Sequence, residues 1–331
     1  MCGTVGDDLI VASGIRATIK TRLAIRAPSV NRGGMTTDRP ARTGLLLGIG
    51  AYISWGILPL YLKLLKGVPA LQVLAHRVLW SLLLLAAVVL IARRGRAILA
   101  AARGRTLLLL CASAALIAIN WMIYIWSVQN NHVLEASLGY FINPLINVAL
   151  GVALLGERIR RGQAIAVGIA ALGVAVLAIS GGGAIWISLA LALSFGFYGL
   201  VRKVAAIDAL GGLTVETLLL AAPALAVLIL ASANGTAAFG ADRHLDMLLV
   251  LAGAVTAAPL LMFAAAARRM RYATLGLLQY LAPTLQFAQA VLLFGEPLRP
   301  VHIVTFALIW AGCALYAFDS VRGSRTPVTA E

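Results

Sequence analysis

A chain of 331 residues that is 61% hydrophobic and 12% charged, with a mean hydropathy of +0.95, lacks the charge of a soluble globular protein, which is about a quarter of residues. The formal charge of +15 does not point to nucleic acid, because the basic residues occupy short connectors between apolar runs. Cys2, Cys111 and Cys313 are too few for a disulfide framework, and the latter two fall in apolar runs, where cysteine serves as a small core residue.

Residues 1–34 carry Arg16, Lys20, Arg22, Arg26 and Arg32 and no apolar run of signal-peptide length. At Met35 a polar leader, TTDRPART, begins and runs straight into apolar sequence. The first 34 residues read either as an extension ahead of a natural start at Met35 or as a basic disordered tail. Ten apolar runs follow, at about 44–62, 71–92, 106–127, 132–155, 162–180, 184–201, 213–232, 245–267, 273–294 and 301–319, before a tail at 321–331. Each has roughly the 18–23 residues that carry a helix across a bilayer, and none alternates as a barrel strand would. The expectation is an all-α membrane protein of ten transmembrane helices. Its connectors are too short for a catalytic domain outside the bilayer.

Basic residues set the orientation. With the leader inside, Arg39, Arg42, Arg93, Arg94, Arg96, Arg103, Arg105, Arg158, Arg160, Arg161, Arg202, Lys203, Arg268, Arg269, Arg271, Arg322 and Arg325 share one side. Only Lys63, Lys66, Arg243 and Arg299 fall on the other. Both termini are therefore expected in the cytoplasm. Richness in Ala, Gly and Arg fits a GC-rich bacterial genome, and the expected location is the inner membrane.

The chain also repeats itself. Ser54-Trp55-Gly56 aligns with Ser194-Phe195-Gly196, and Lys63 with Lys203. Pro144 and the later Gly156-Glu157 pair align with Pro283 and Gly295-Glu296. Each half, 40–180 and 184–320, holds five spans. Five is odd, so the second copy enters from the opposite side and the repeats are inverted, the architecture of alternating-access carriers with a midplane site.

The segment SWGILPLYLKLLKGVPALQVLAHRVLWS, residues 54–81, resembles the RarD branch of the EamA family within the drug/metabolite transporters. The two Gly-Glu turns, with Gln163, Gly168 and Gly173 after the first, resemble the EamA repeat, and the likeness covers about residues 40–320. It implies ten helices as two inverted five-helix EamA-type repeats, export or exchange of small metabolites, and no ATPase. RarD members carry a chloramphenicol-sensitivity label.

Polar groups within the spans are the candidate machinery. On the second span Gln72, His76 and Trp80 form one stripe with Arg77 and Ser81 beside it. Arg77 reads as a clamp for a substrate carboxylate or phosphate, or as a side chain snorkelling to headgroups. His76 is a titratable candidate or a packing residue. Glu216 occupies the equivalent place in the second repeat and is a candidate proton carrier or a glutamate of a first helical turn. Glu135, Gly139, Asn143 and Asn147 share one face of the fourth span, beside Tyr140 and Pro144. Gln279, Pro283, Gln286 and Gln289 make the matching face of the ninth. These two proline-kinked, amide-lined helices form a central site or hydrogen-bonded glue. Asn120, Trp121 and Tyr124 on the third span, Tyr52 and Trp55 on the first, and Phe195 and Tyr198 on the sixth complete a wall or simply pack. His76, Glu135 and Glu216 are the coupling candidates. Glu157 and Glu296 read as caps of short turns. The nearly apolar fifth and tenth spans read as outer supports or a face for a second copy.

The leading function is a secondary carrier exporting or exchanging small metabolites such as amino acids or drug-like compounds. The expected partners are a small solute and membrane lipids, with no cofactor and no metal. A lipid scramblase or accessory membrane protein is the alternative. An intramembrane enzyme would need clustered carboxylates or metal ligands, which twelve scattered acidic residues do not supply. ATP drive would need a partner, because no Walker motif is present.

Overall fold

In a computed structural model the described residues are 38–156, 160–180, 184–270 and 278–323, and every regular element among them is helical. The segment 1–34, Glu157, Arg158 and the first residues of the expected ninth span lie outside them. The helices are α1 (Asp38–Gly56), α2 (Leu58–Leu64), α3 (Ala70–Ile91), α4 (Gly95–Ala101), α5 (Arg105–Gln129), α6 (Val133–Leu155), α7 (Arg161–Ile179), α8 (Ile185–Val204), α9 (Ala209–Ala233), α10 (Arg243–Ala267), α11 (Leu281–Leu292) and α12 (Pro300–Gly323). Nine spans among these residues are long and apolar enough to cross a membrane, with α1 and α2 counted as one; α11 is a shorter apolar helix. A chain this apolar becomes helical because a bilayer offers no water to peptide groups, and only the helix satisfies them within one segment. Large side chains accordingly face outward, Ile91 being 84% exposed.

Packing between the halves is symmetric. Exchanging the first five spans for the last five turns the α1–α10 contact into α8–α5, α3–α10 into α9–α5, and α1–α11 into α8–α6. The same exchange leaves α3–α9, α6–α11 and α7–α12 on themselves. Gly156 and Gly295, the glycines of the two repeated turns, have φ of 66° and 65°, a left-handed backbone that disfavours any side chain. The turns after the first, third and ninth spans meet, since Lys63 Nζ lies 2.5 Å from Asn131 Oδ1 and over the ring of Phe294. At the opposite end Arg94 reaches Asp208 at 2.9 Å. The spans therefore alternate in direction, and the second group of turns is the basic one.

Pro283 lies in the first turn of α11, where an N–H has no intrahelical acceptor anyway. Two expectations are corrected. The first span is not one continuous helix but is broken at Ile57, ahead of Pro59. Cys111 is exposed rather than a core residue, whereas Cys313 is buried. The loop after the second span contains a short helix, α4, anchored by buried Ile98. The fifth and tenth spans pair with each other as α7 and α12 through small residues. Thr305 donates to the carbonyl of Gly173 at 3.2 Å, and a Cβ on Gly312 would stand 2.7 Å from the carbonyl of Ala166.

Candidate functional site

Two charged centres lie in the interior, joined by one face of α5. The first is Arg77, two turns into α3 and only 3% exposed, so it does not snorkel. Its Nε donates to Thr256 Oγ1 on α10 at 3.0 Å. Thr256 gives its own hydrogen to Ala252 O at 2.7 Å, which leaves its oxygen as a pure acceptor for Arg77. The guanidinium lies 5.2 Å from the ring centroid of Trp121, and Tyr61, Tyr124 and Tyr140 are its electrostatic neighbours. Among the described residues no carboxylate is within ion-pair distance of it, and Nη1 has no hydrogen-bond partner.

Its three phenols are not equivalent. Tyr61 donates to Leu248 O at 2.8 Å and Tyr140 to Asn120 Oδ1 at 3.1 Å, whereas the buried hydroxyl of Tyr124 has no partner. Asn120 is held from α8, its amide donating to Leu191 O at 3.0 Å and to Ser194 Oγ at 2.9 Å. Tyr124 and Tyr140 meet edge to face at 5.5 Å, and Tyr140 meets Phe195 at 6.2 Å.

The second centre is Glu216, 1% exposed, on α9. It accepts from Ser113 Oγ at 2.5 Å and from Tyr198 OH at 3.3 Å, and Arg202 Nε lies 3.5 Å away. The cluster staples α5, α8 and α9 near the basic end. Ser113, Asn120 and Tyr124 recur on α5 at helical spacing, so the two centres are separated by about 11 residues of rise, roughly 16 Å.

The remaining candidates are more dispersed. His76 stacks on Phe239 at 5.3 Å, and its Nε2 is buried without a partner. Gln72 pins the same connector, donating to Thr236 O at 2.8 Å and accepting from Ala238 N at 2.9 Å. Tyr52 and Trp55 pack with Phe263, 6.0 and 5.7 Å away. Gln286 donates to Trp55 O and Gln289 to Gly56 O. Asn143 is buried with Oδ1 unpartnered; Asn147 is exposed, 3.8 Å from where a Cβ on Gly199 would stand. Gln279 is half-buried just ahead of α11. Glu135 lies 3.5 Å from His132 in the first turn of α6, at the basic-poor end. Glu296, expected to cap its own short turn, instead accepts from Val133 N and Leu134 N at 2.9 and 2.7 Å, capping α6 from the other half.

Sequence reasoning did not single out Tyr61, Ser113 or Thr256 and placed Arg202 in a loop. For Arg202 the available signal was its spacing of four from Tyr198 on one helix face. Among the described residues no group of His, Cys, Asp and Glu could hold a metal ion.

Ten apolar segments, a two-fold related contact pattern and a polar interior define a multi-pass membrane protein of the transporter type. The chain belongs to the EamA-like transporter family, whose pattern matches residues 42–179, and to its RarD branch. It is 49% identical over 287 residues to an uncharacterized transporter of Pseudomonas aeruginosa, covering 86% of this chain and 96% of the relative. It is 46% identical over 293 residues to protein RarD of Streptomyces exfoliatus, covering 88% of this chain and 93% of the relative. A solved crystal structure, 20% identical, shares the fold with a TM-score of 0.57 over 85% of this chain and 99% of its own.

Proposed function

We propose that this transporter is a secondary carrier that exports or exchanges small metabolites by alternating access, with its solute site between the repeats 40–180 and 184–320. The observation that carries this reading is Arg77, a buried cation without a counter-ion among the described residues, where α3, α5 and α6 of one repeat meet α10 of the other. An unneutralised charge in an apolar interior is expensive, and inside a membrane it marks a site that a mobile species completes. Asn120, Tyr124, Tyr140 and Asn143 would line that site, while Glu216, tied to Arg202, is the coupling candidate best placed by its surroundings. The basic turns would face the cytoplasm of a bacterial cell, with both termini inside and the protein in the inner membrane.

Counterflow in proteoliposomes tests the carrier. Vesicles loaded with a solute mixture should accumulate the matching labelled solute without ATP, and Arg77→Ala should abolish the accumulation. Flipping of fluorescent lipid with no solute counterflow would transfer the assignment to a scramblase.

A further inference from the structure

The charge state of the Arg77 site restricts what can occupy it. An arginine holds its proton at any accessible pH, so the site carries one fixed positive charge. The buried carboxylates among the described residues are engaged elsewhere: Glu216 by Arg202, Ser113 and Tyr198, Glu296 by two main-chain N–H groups, and Glu135 beside His132. Trp121 offers the guanidinium its ring face but no counter-charge. A monoanion would neutralise the loaded site. A dianion would overcompensate it, and a zwitterion would restore the positive charge that its carboxylate removed.

The donors define the head group. Arg77 Nη1 and the Tyr124 hydroxyl are both buried without partners, whereas the hydroxyls of Tyr61 and Tyr140 are already donating. One charged and one neutral donor match the two oxygens of a carboxylate. The surrounding groups, Trp121 and the edge-to-face pair Tyr124–Tyr140, are aromatic, which favours a planar apolar body over a polyhydroxylated one.

We infer that the site takes a monocarboxylate with a planar, apolar body, its carboxylate received by Arg77 Nη1 and the Tyr124 hydroxyl. This inference rests on the carrier reading and names the substrate class of that same site.

Thermal unfolding of the purified full chain in detergent, with benzoate as the probe, tests it. Benzoate should raise the midpoint in a saturable way, since a ligand that binds only the folded state stabilises it. Benzamide, the same shape without the charge, should bind at least about tenfold more weakly, the loss expected when a charge-assisted hydrogen bond becomes a neutral one. Tyr124→Phe, which removes a single oxygen, should weaken benzoate by about fivefold to tenfold, and Arg77→Gln should remove the response. If Arg77→Gln does not fold, the benzoate–benzamide comparison and Tyr124→Phe still decide the question. Equal binding of benzamide or of phenylalanine, a benzoate response indifferent to both substitutions, or no benzoate response would overturn the inference. Counterflow of a neutral or zwitterionic solute would then leave the carrier standing with a different substrate class, whereas absence of counterflow for every solute would remove the carrier as well.

Discussion

The side-chain amide of Gln286 donates to the main-chain carbonyl of Trp55, 3.0 Å away, the acceptor that Pro59 leaves without a helical donor. In an unbroken helix Trp55 O would receive the N–H four residues on, and proline has none. The next carbonyl, Gly56 O, also loses its helical donor because Leu60 N turns back to Ile57 O, and Gln289 fills that place at 2.6 Å. Two glutamines of α11 thus complete a break in the first span, 231 and 233 residues away in sequence. Gln286→Leu should lower stability by about 1–3 kcal/mol, the cost of a buried acceptor left bare. The same substitution should cost less in a Pro59→Ala background, where residue 59 regains its N–H. A double-mutant cycle on thermal or SDS-induced unfolding checks this, and strict additivity would show that the two residues act independently.

Glu296 caps α6 across the repeats, and burial pushes its carboxyl above the usual value near 4.5, outweighing the opposing effects of Leu134 N, Val133 N and Lys63; nearby Glu135 pushes the same way. A carboxyl with a raised folded-state pKa binds protons more tightly folded than unfolded. Its contribution is therefore most favourable below about 4.5 and is lost as pH rises through the higher folded value. The midpoint difference between wild type and Glu296→Gln should fall as pH increases across that window. A difference that stays flat with pH would mean that the carboxyl is not perturbed.

The Arg202–Glu216 pair is largely buried, with side-chain exposures of 15% and 2%. Removing one member strands the other. Arg202→Ala should cost about 3–5 kcal/mol in unfolding experiments, because Glu216 would be left charged in an apolar interior. Adding Glu216→Gln should restore much of that loss, since a neutral amide can still bond Ser113 and Tyr198. A double mutant no more stable than the single one would argue against an electrostatic origin.

Two glycines predict opposite outcomes. A Cβ on Gly253 would stand 2.5 Å from the Trp80 backbone, where α10 crosses α3, so Gly253→Ala should destabilise by about 1–3 kcal/mol. A Cβ on Gly168 in α7 would meet nothing within 4 Å. Gly168→Ala should stabilise by up to about 1 kcal/mol through helix propensity alone. Parallel melting curves in one detergent would check both signs.

The spans, their alternation and the two-fold relation between halves were legible because each depends on local physics. Runs of apolar residues must be helical in lipid, odd repeats must invert, and a glycine recurring at equivalent turns marks a left-handed backbone. Arg77, Tyr124, Tyr140 and Asn120 were recognisable as candidates because polar groups are rare in hydrocarbon. Which of them meet was not legible. Gln286 and Arg77 were both candidates for the substrate site, yet one completes a broken helix and the other faces tyrosines with a nitrogen unpartnered. Glu216 and Arg202 stood fourteen residues apart, one in a span and the other in a connector, and only the packing of α8 on α5 turns the arginine inward. The sequence by itself determined the class of protein, because transfer of apolar surface and peptide groups into lipid is governed by composition and run length. The tertiary structure alone decided the partners of each polar group, because those depend on helix rotation and on contacts between different spans, 14 positions apart for Arg202 and Glu216 and 179 for Arg77 and Thr256.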